Sequence, residues 1–198
     1  ALFSIIKLRV AVLMGGPSSE HEVSLKSGAV ILANLDKNKY LATSLVISRA
    51  GKWPISLKAL KNNFDLVFIA MHGEYGEDGS LQALLEKYRI PFTGSGSAAS
   101  RLGMDKAASA CVFEAAGLLT PPRADGFPAV VKPADRCSSV GVSIAVNDRE
   151  LGRAVREAIK FSSTILVQKC IRGREFTCGV IERGSRLIAL PPTEIIPK

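Results

Sequence analysis

The chain has 198 residues, 47% of them hydrophobic, and a formal net charge of +8, enough apolar material for one large or two small domains. No apolar run approaches the ~20 residues of a membrane span, and four cysteines without CxxC spacing, with two distant histidines, argue against zinc and disulfide frameworks. Basic residues scattered among acidic ones, with only 6% aromatics, leave no recognition helix or stacking platform for nucleic acid, so the charge reads as a surface bias that has room for a phosphate site.

The opening residues 1–7 are too short for a secretory signal, and reduced thiols fit the cytosol, so a cytoplasmic location is expected. A buried strand is predicted over 8–14. It ends in Gly15, Gly16, Pro17 and two serines, and a helix follows over about 22–35 with Val23, Ala29, Val30, Ala33 and other apolar positions at helical spacing. Residues 41–48 alternate as a second strand. Residues 65–71 form a continuous apolar run, the mark of a strand covered on both faces. This run ends in the Gly-rich loop 72–79, after which Ser80 is expected to cap a helix over 81–88. Strand, Gly-rich loop and helix thus occur twice, which predicts an open parallel sheet with its ligand site at the strand C-terminal ends.

Residues 91–97 are a small-residue crossing out of that first domain. Helices are predicted over 98–102 and 105–116, the latter with Asp105 as N-cap and Gly117 as its stop. Beyond the Pro- and Gly-bearing connection 120–127 the texture shifts to shorter β-rich units. Strands are expected over 128–132, 142–146, 164–169, 175–182 and 185–190, with a helix near 148–161, an α+β arrangement.

Several residues stand where chemistry is possible. Glycines 15 and 16 let a ligand approach the backbone, and the following helix N-terminus favours an anion. Glu20 beside them suits an ammonium group, so the turn fits a free amino acid, though an ordinary βα turn with a solvated Glu reads the same way. His72 ends a buried strand, where it is either a ligand contact or structural. Lys132 sits on an otherwise apolar strand, which is costly without a counter-charge; the alternative is a lysine snorkelling out of a strand end. The small, polar loop after it offers N–H groups to phosphate oxygens but is no Walker A loop. Lys106, just inside a helix start, is either a phosphate contact or a plain surface lysine.

The segments GGPSSEHEVSL (15–25), HGEYGEDGSLQALLE (72–86), PFTGSGSAASRLGMDK (91–106), AVVKPADRCSSVGVS (129–143) and GREFTCGVIE (173–182), in this order, resemble the D-alanine–D-alanine ligases of the ATP-grasp superfamily. The resemblance implies an α/β fold, with an N-terminal open parallel sheet (pre-ATP-grasp) followed by an α+β ATP-grasp central domain. The expected division is a substrate-binding domain over 1–96, a helical linker over 97–127 and the central domain over 128–198. It further implies joining of two D-alanines: ATP phosphorylates the carboxylate of the first, and the amine of the second attacks the acyl phosphate. A D-alanine–D-lactate ligase, or another ATP-grasp carboxylate–amine ligase, shares these motifs.

By position, the resemblance makes Glu20 the ligand of the first D-alanine's ammonium and puts His72 near its carboxylate. Lys106 and Lys132 would neutralise ATP phosphates, and Ser138 would hydrogen-bond Glu20 and orient the site. Ser139 and Val140 would cover the phosphates, Gln168, Lys169, Cys170 and Ile171 would contact adenine, and Glu175 would bind ribose. The family's partners carry over as D-alanine and ATP, with neither nucleic acid nor membrane, and with a homodimer as the expected assembly. Mg²⁺ or Mn²⁺ is the expected cofactor, with its ligands beyond Lys198.

The departures are specific. Arg136 and Cys137 replace a usual Glu and Gly, which predicts a stiffer phosphate loop; Gln168 replaces a usual Glu; and the 120–128 connection is short. The family's mobile loop, its oxyanion-stabilising Arg and its metal ligands would all follow the match at 191–195. The sequence is then either part of a longer enzyme or a shortened relative that binds ligand without turnover.

Overall fold

A computed structural model describes residues 6–137 and 139–196. Strand β1 (Leu8–Gly15) is the centre of a parallel sheet with β2 (Tyr40–Ile47) on one side and β3 (Leu66–Ile69) on the other. Its register runs from Leu8↔Tyr40 to Gly15↔Ile47, and from Val10↔Leu66 to Leu13↔Ile69. A bridge from Val67 to Phe92 extends the sheet beyond β3, where the Val67 N–H donates to Pro91 O at 2.8 Å.

With neighbours on both sides and cover on both faces, β1 reads as an uninterrupted apolar run. Its alternate side chains feed two cores. Ala11 and Leu13 join Leu45, Ile47, Leu60, Leu81 and Leu85, while Val10, Val12 and Met14 meet Leu25, Ile31 and Leu32. The second set belongs to helix α1 (His21–Asn34), whose fully buried residues are His21, Ser24 and Gly28. The expected apolar stripe is corrected in part: Leu25, Ile31 and Leu32 pack on β1, whereas Val23, Ala29, Val30 and Ala33 are exposed. The small face is needed because the helix lies close to β1, where a Cβ on Gly28 would come within 2.8 Å of Met14 Cβ.

The other face carries α2 (Leu57–Asn63), which the sequence reading passed over, and α3 (Ser80–Lys87). Ser56 caps α2 by accepting the Ala59 N–H. Ser80 is not the cap of α3: the helix already includes it, Gly79 precedes it in the left-handed region (φ 86°), and Asp78 accepts the Ser80 N–H at 2.8 Å. Helices α4 (Ser97–Met104) and α5 (Lys106–Ala115) follow. Asp105 caps α5 by accepting the Ala107 and Ala108 N–H groups, and Gly117 ends it at φ 76°.

Strands β4 (Ala129–Pro133), β5 (Ser143–Ala145) and β6 (Ile165–Lys169) form an antiparallel sheet in the order β5-β4-β6. Helix α6 (Asp148–Ala158) covers it, with Ala154 and Ala158 meeting Val131. The short 120–127 connection lies along the outer edge of β6. Lys169 N–H donates to Pro122 O at 2.9 Å, and Ala124 N–H to Val167 O at 3.1 Å. The strand expected over 175–182 is two strands, β7 (Glu175–Thr177) and β8 (Val180–Arg183), broken at Cys178 and Gly179. β8 pairs with β9 (Arg186–Ala189), and β7 pairs with β10 (Thr193–Ile195), a strand the sequence reading did not anticipate.

Candidate active site

The C-terminal end of β1 turns through Gly15 and Gly16, both at positive φ. A Cβ on Gly15 would lie 2.5 Å from Ile47 O, so only glycine fits there. Ser18, Glu20 and the first turns of α1 then face the loop after β3. Ser18 Oγ donates to His72 O at 2.7 Å, and the His72 N–H donates to Ser24 Oγ at 2.9 Å. Ser27 Oγ lies 2.8 Å from His72 Nε2. Glu20, Ser24 and Ser27 stand at i, i+4 and i+7 and therefore share one face of α1. That spacing could have revealed the two serines; the sequence reading named only Glu20.

Loop 72–79 is held internally. Glu77 accepts the Gly73 N–H at 2.6 Å, Asp78 accepts the Tyr75 N–H at 2.9 Å, and Trp53 Nε1 donates to Tyr75 Oη at 3.0 Å. Glu20 reaches this loop: a Cβ on Gly73 would stand 2.9 Å from Glu20 Oε2. Beside His72 opens a cavity of about 920 Å³, whose walls include Ser27, Glu77, Gln82, Met104 and Cys137.

The second half of the site comes from the antiparallel sheet. Lys132 occupies β4 half-buried, and burial followed by repulsion from Lys106 holds its ammonium below the usual lysine value. Lys106 is anchored at the start of α5: its N–H donates to Ala134 O at 2.9 Å, and its Nζ donates to Arg136 O. Among the described residues, neither ammonium has a carboxylate within 4.0 Å. Two neighbouring cations without counter-ions form a site that an anion would relieve.

The loop after β4 continues this arrangement. Cys137 lies 3.4 Å from Met104 Sδ, and its thiol is pushed up by burial first and then by Glu77, Glu20 and Glu74. Lys106 pulls the same thiol the other way, so Glu20, loop 72–79 and Lys106 all act on Cys137. Ser139 (φ 60°, exposed) and Val140 continue the loop, where the Val140 N–H donates to Cys137 O at 3.2 Å. Gly141 also has positive φ, and a Cβ there would meet Phe161 at 2.8 Å. Ser138 lies outside the described residues.

Gln168 is on β6 opposite Val130, two ladder positions from the Leu166↔Lys132 pair. Its Nε2 donates to Pro121 O at 2.9 Å, and its Oε1 is buried without a donor among the described residues. Lys169 and Ile171 are exposed and Cys170 is half-buried. Glu175 is exposed on β7, in the separate two-stranded sheet, outside the network around His72 and Lys106. No three His, Cys, Asp or Glu side chains cluster as metal ligands among the described residues. No helix among the described residues is long and apolar enough to cross a membrane.

The chain is similar to several known proteins. The family model for the D-ala D-ala ligase N-terminus matches residues 9–62 and 54–95, and that for the D-ala D-ala ligase C-terminus matches 120–198. A D-alanine–D-alanine ligase of Citrifermentans bemidjiense is 42% identical over 203 residues, covering 97% of this chain. The chain spans 64% of that relative's length. The crystal structure of a D-alanine–D-alanine ligase from Bacillus anthracis complexed with ATP superposes with a TM-score of 0.79 at 33% identity, covering 96% of this chain and 67% of that one. A D-Ala:D-Ser ligase from Enterococcus faecalis superposes at 0.83 with 27% identity, covering 95% and 69%.

Proposed function

Because the chain belongs to the D-alanine–D-alanine ligase family, we propose that it carries the amino-acid and nucleotide subsites of an ATP-dependent ligase that makes D-alanyl-D-alanine for peptidoglycan precursors. The observation that carries this reading is the half-buried pair Lys106 and Lys132, without a carboxylate in reach among the described residues and close to the loop that follows β4.

In this reading Glu20 holds the ammonium of the first D-alanine. His72, fixed through its backbone and ring by Ser18, Ser24 and Ser27, stands near that amino acid's carboxylate. Lys106 and Lys132 neutralise the phosphates of ATP, and their charge favours the extra negative charge that develops during phosphoryl transfer. Ser138, Ser139 and Val140 close over the phosphates. Gln168, Lys169, Cys170 and Ile171 form the wall that meets adenine, and Glu175 takes the ribose. ATP supplies the phosphoryl group that converts a poor leaving group into a good one, and Mg²⁺ or Mn²⁺ assists from ligands outside this chain's described residues. The division into 1–96, 97–127 and 128–198, the homodimer and the cytoplasmic location belong to the same proposal and are supported by kinship.

The test has two arms. Lys132→Ala should weaken ATP binding about tenfold or more, as expected for losing a charge-assisted hydrogen bond; unchanged affinity by calorimetry overturns the role of Lys132. Phosphate release with ATP, Mg²⁺ and D-alanine, repeated with D-serine or D-lactate as second substrate, then reads the acceptor. ATP binding without turnover for any acceptor would favour a ligand-binding relative.

A further inference from the structure

Arg136 ties the two halves of the candidate site together. Its Nη1 donates to Glu74 Oε1 at 2.8 Å, across 62 residues of sequence, and its Nε donates to Phe161 O at 2.7 Å. Its own carbonyl oxygen accepts Lys106 Nζ. Glu74 in turn sits two residues from His72, in a loop braced by Glu77, Asp78 and the Trp53–Tyr75 hydrogen bond.

We propose that Arg136 and Glu74 are positioning residues whose ion pair fixes the phosphate-covering loop against the loop that carries His72, so that occupancy of the nucleotide subsite is felt at the amino-acid subsite. The inference rests on the function proposed above.

The magnitudes favour alignment over stability. The two side chains are 31% and 37% exposed, a range in which ion pairs contribute little to folding. A pair of this kind still selects one arrangement of two loops, because the guanidinium is fixed by Phe161 at one edge and meets the carboxylate at the other. The nucleotide enters through Lys106, which is bound to the Arg136 carbonyl, and the amino acid enters through Glu20 and His72. The pair is a direct side-chain link between these two groups.

The experiment compares the wild type, Arg136→Ala and the charge-swapped pair Glu74→Arg with Arg136→Glu. Both variants lose the bond to Phe161 O, so they differ in the link to position 74. Without ligand, amide exchange across 72–79 should rise severalfold in Arg136→Ala and return toward wild type in the swap, with β1 unchanged throughout. Unchanged loop exchange in Arg136→Ala overturns the link itself. With ligands, saturating D-alanine should alter the ATP dissociation constant about fivefold or more in wild type, within the usual range of site–site coupling. The factor should fall below about twofold in Arg136→Ala and recover in the swap. Coupling that persists in Arg136→Ala, or is absent from wild type, overturns the inference. The single tryptophan, Trp53, supplies an optical readout, since it is bonded to the residue after Glu74. A wild type that binds no ATP overturns the proposed function, and the coupling with it, independently of the loop-exchange result.

Discussion

At the scale of single residues, the contact between Arg9 and Asp65 shows how charge sets register. Arg9 Nη2 and Nε donate to the two carboxylate oxygens at 2.7 and 3.1 Å, and the Arg9 N–H also donates to Asp65 at 2.8 Å. This fixes the entry of β3 beside β1. The hydrogen bonds from Arg9 hold the Asp65 carboxyl at about 2, below its ordinary 3.8. A depressed carboxyl favours folding above its unfolded value, and that contribution disappears as pH falls through about 2. Asp65→Asn should therefore flatten the decline of the urea midpoint between about pH 4 and pH 2. An acid limb identical to wild type would show that the pair contributes nothing. Residue types revealed Glu20, His72 and Lys132 as candidates because each is conspicuous locally, whereas Lys106 stood out only through the family resemblance. Arg136 was visible only as a departure, since its partner Glu74 lies 62 positions away and no local pattern joins them.

At the scale of elements, α1 shows what periodicity hides. A surface helix is read from an apolar stripe, but this one turns Ser24, His21 and Gly28 inward beside Leu25, Ile31 and Leu32, while Val23 and Val30 face out. The reason is that its inner face is shared between a close strand contact and the candidate site. Gly28→Ala should destabilise the fold by about 1–2 kcal/mol, with overpacking against Met14 outweighing the gain in helix propensity. Gly103→Ala, in open space on α4, should instead be neutral or stabilising by up to about 1 kcal/mol. Equal urea midpoints for the two variants would contradict the close contact. Caps were legible where a side chain makes them, as at Asp105. At α3 the cap differs from the expectation because the helix already includes Ser80, whose own N–H donates to Asp78, two residues before it.

For the molecule as a whole, protection should follow the cores. Val10 to Leu13 are at most 1% exposed, whereas every residue of β8 and β9 is exposed. Amides in β1 should exchange at least roughly tenfold more slowly than those in β8 and β9. Equal rates, read by mass spectrometry on peptides from each region, would show that the cores do not govern opening. The parallel sheet was legible because buried central strands are long apolar runs. The later strands were less so: β7 and β8 merge in sequence, and β10 is three residues whose pairing with β7 is set by contacts such as the Arg174–Glu194 ion pair rather than by hydrophobic pattern.

The strap formed by 121–124 has one more effect. Because its carbonyl and amide groups occupy the outer rim of β6, a foreign strand arriving on that side finds no open row of hydrogen-bonding partners. The abbreviated connection thus acts as a guard against chain-to-chain zippering, and lengthening it with flexible residues would uncover a template for clumping.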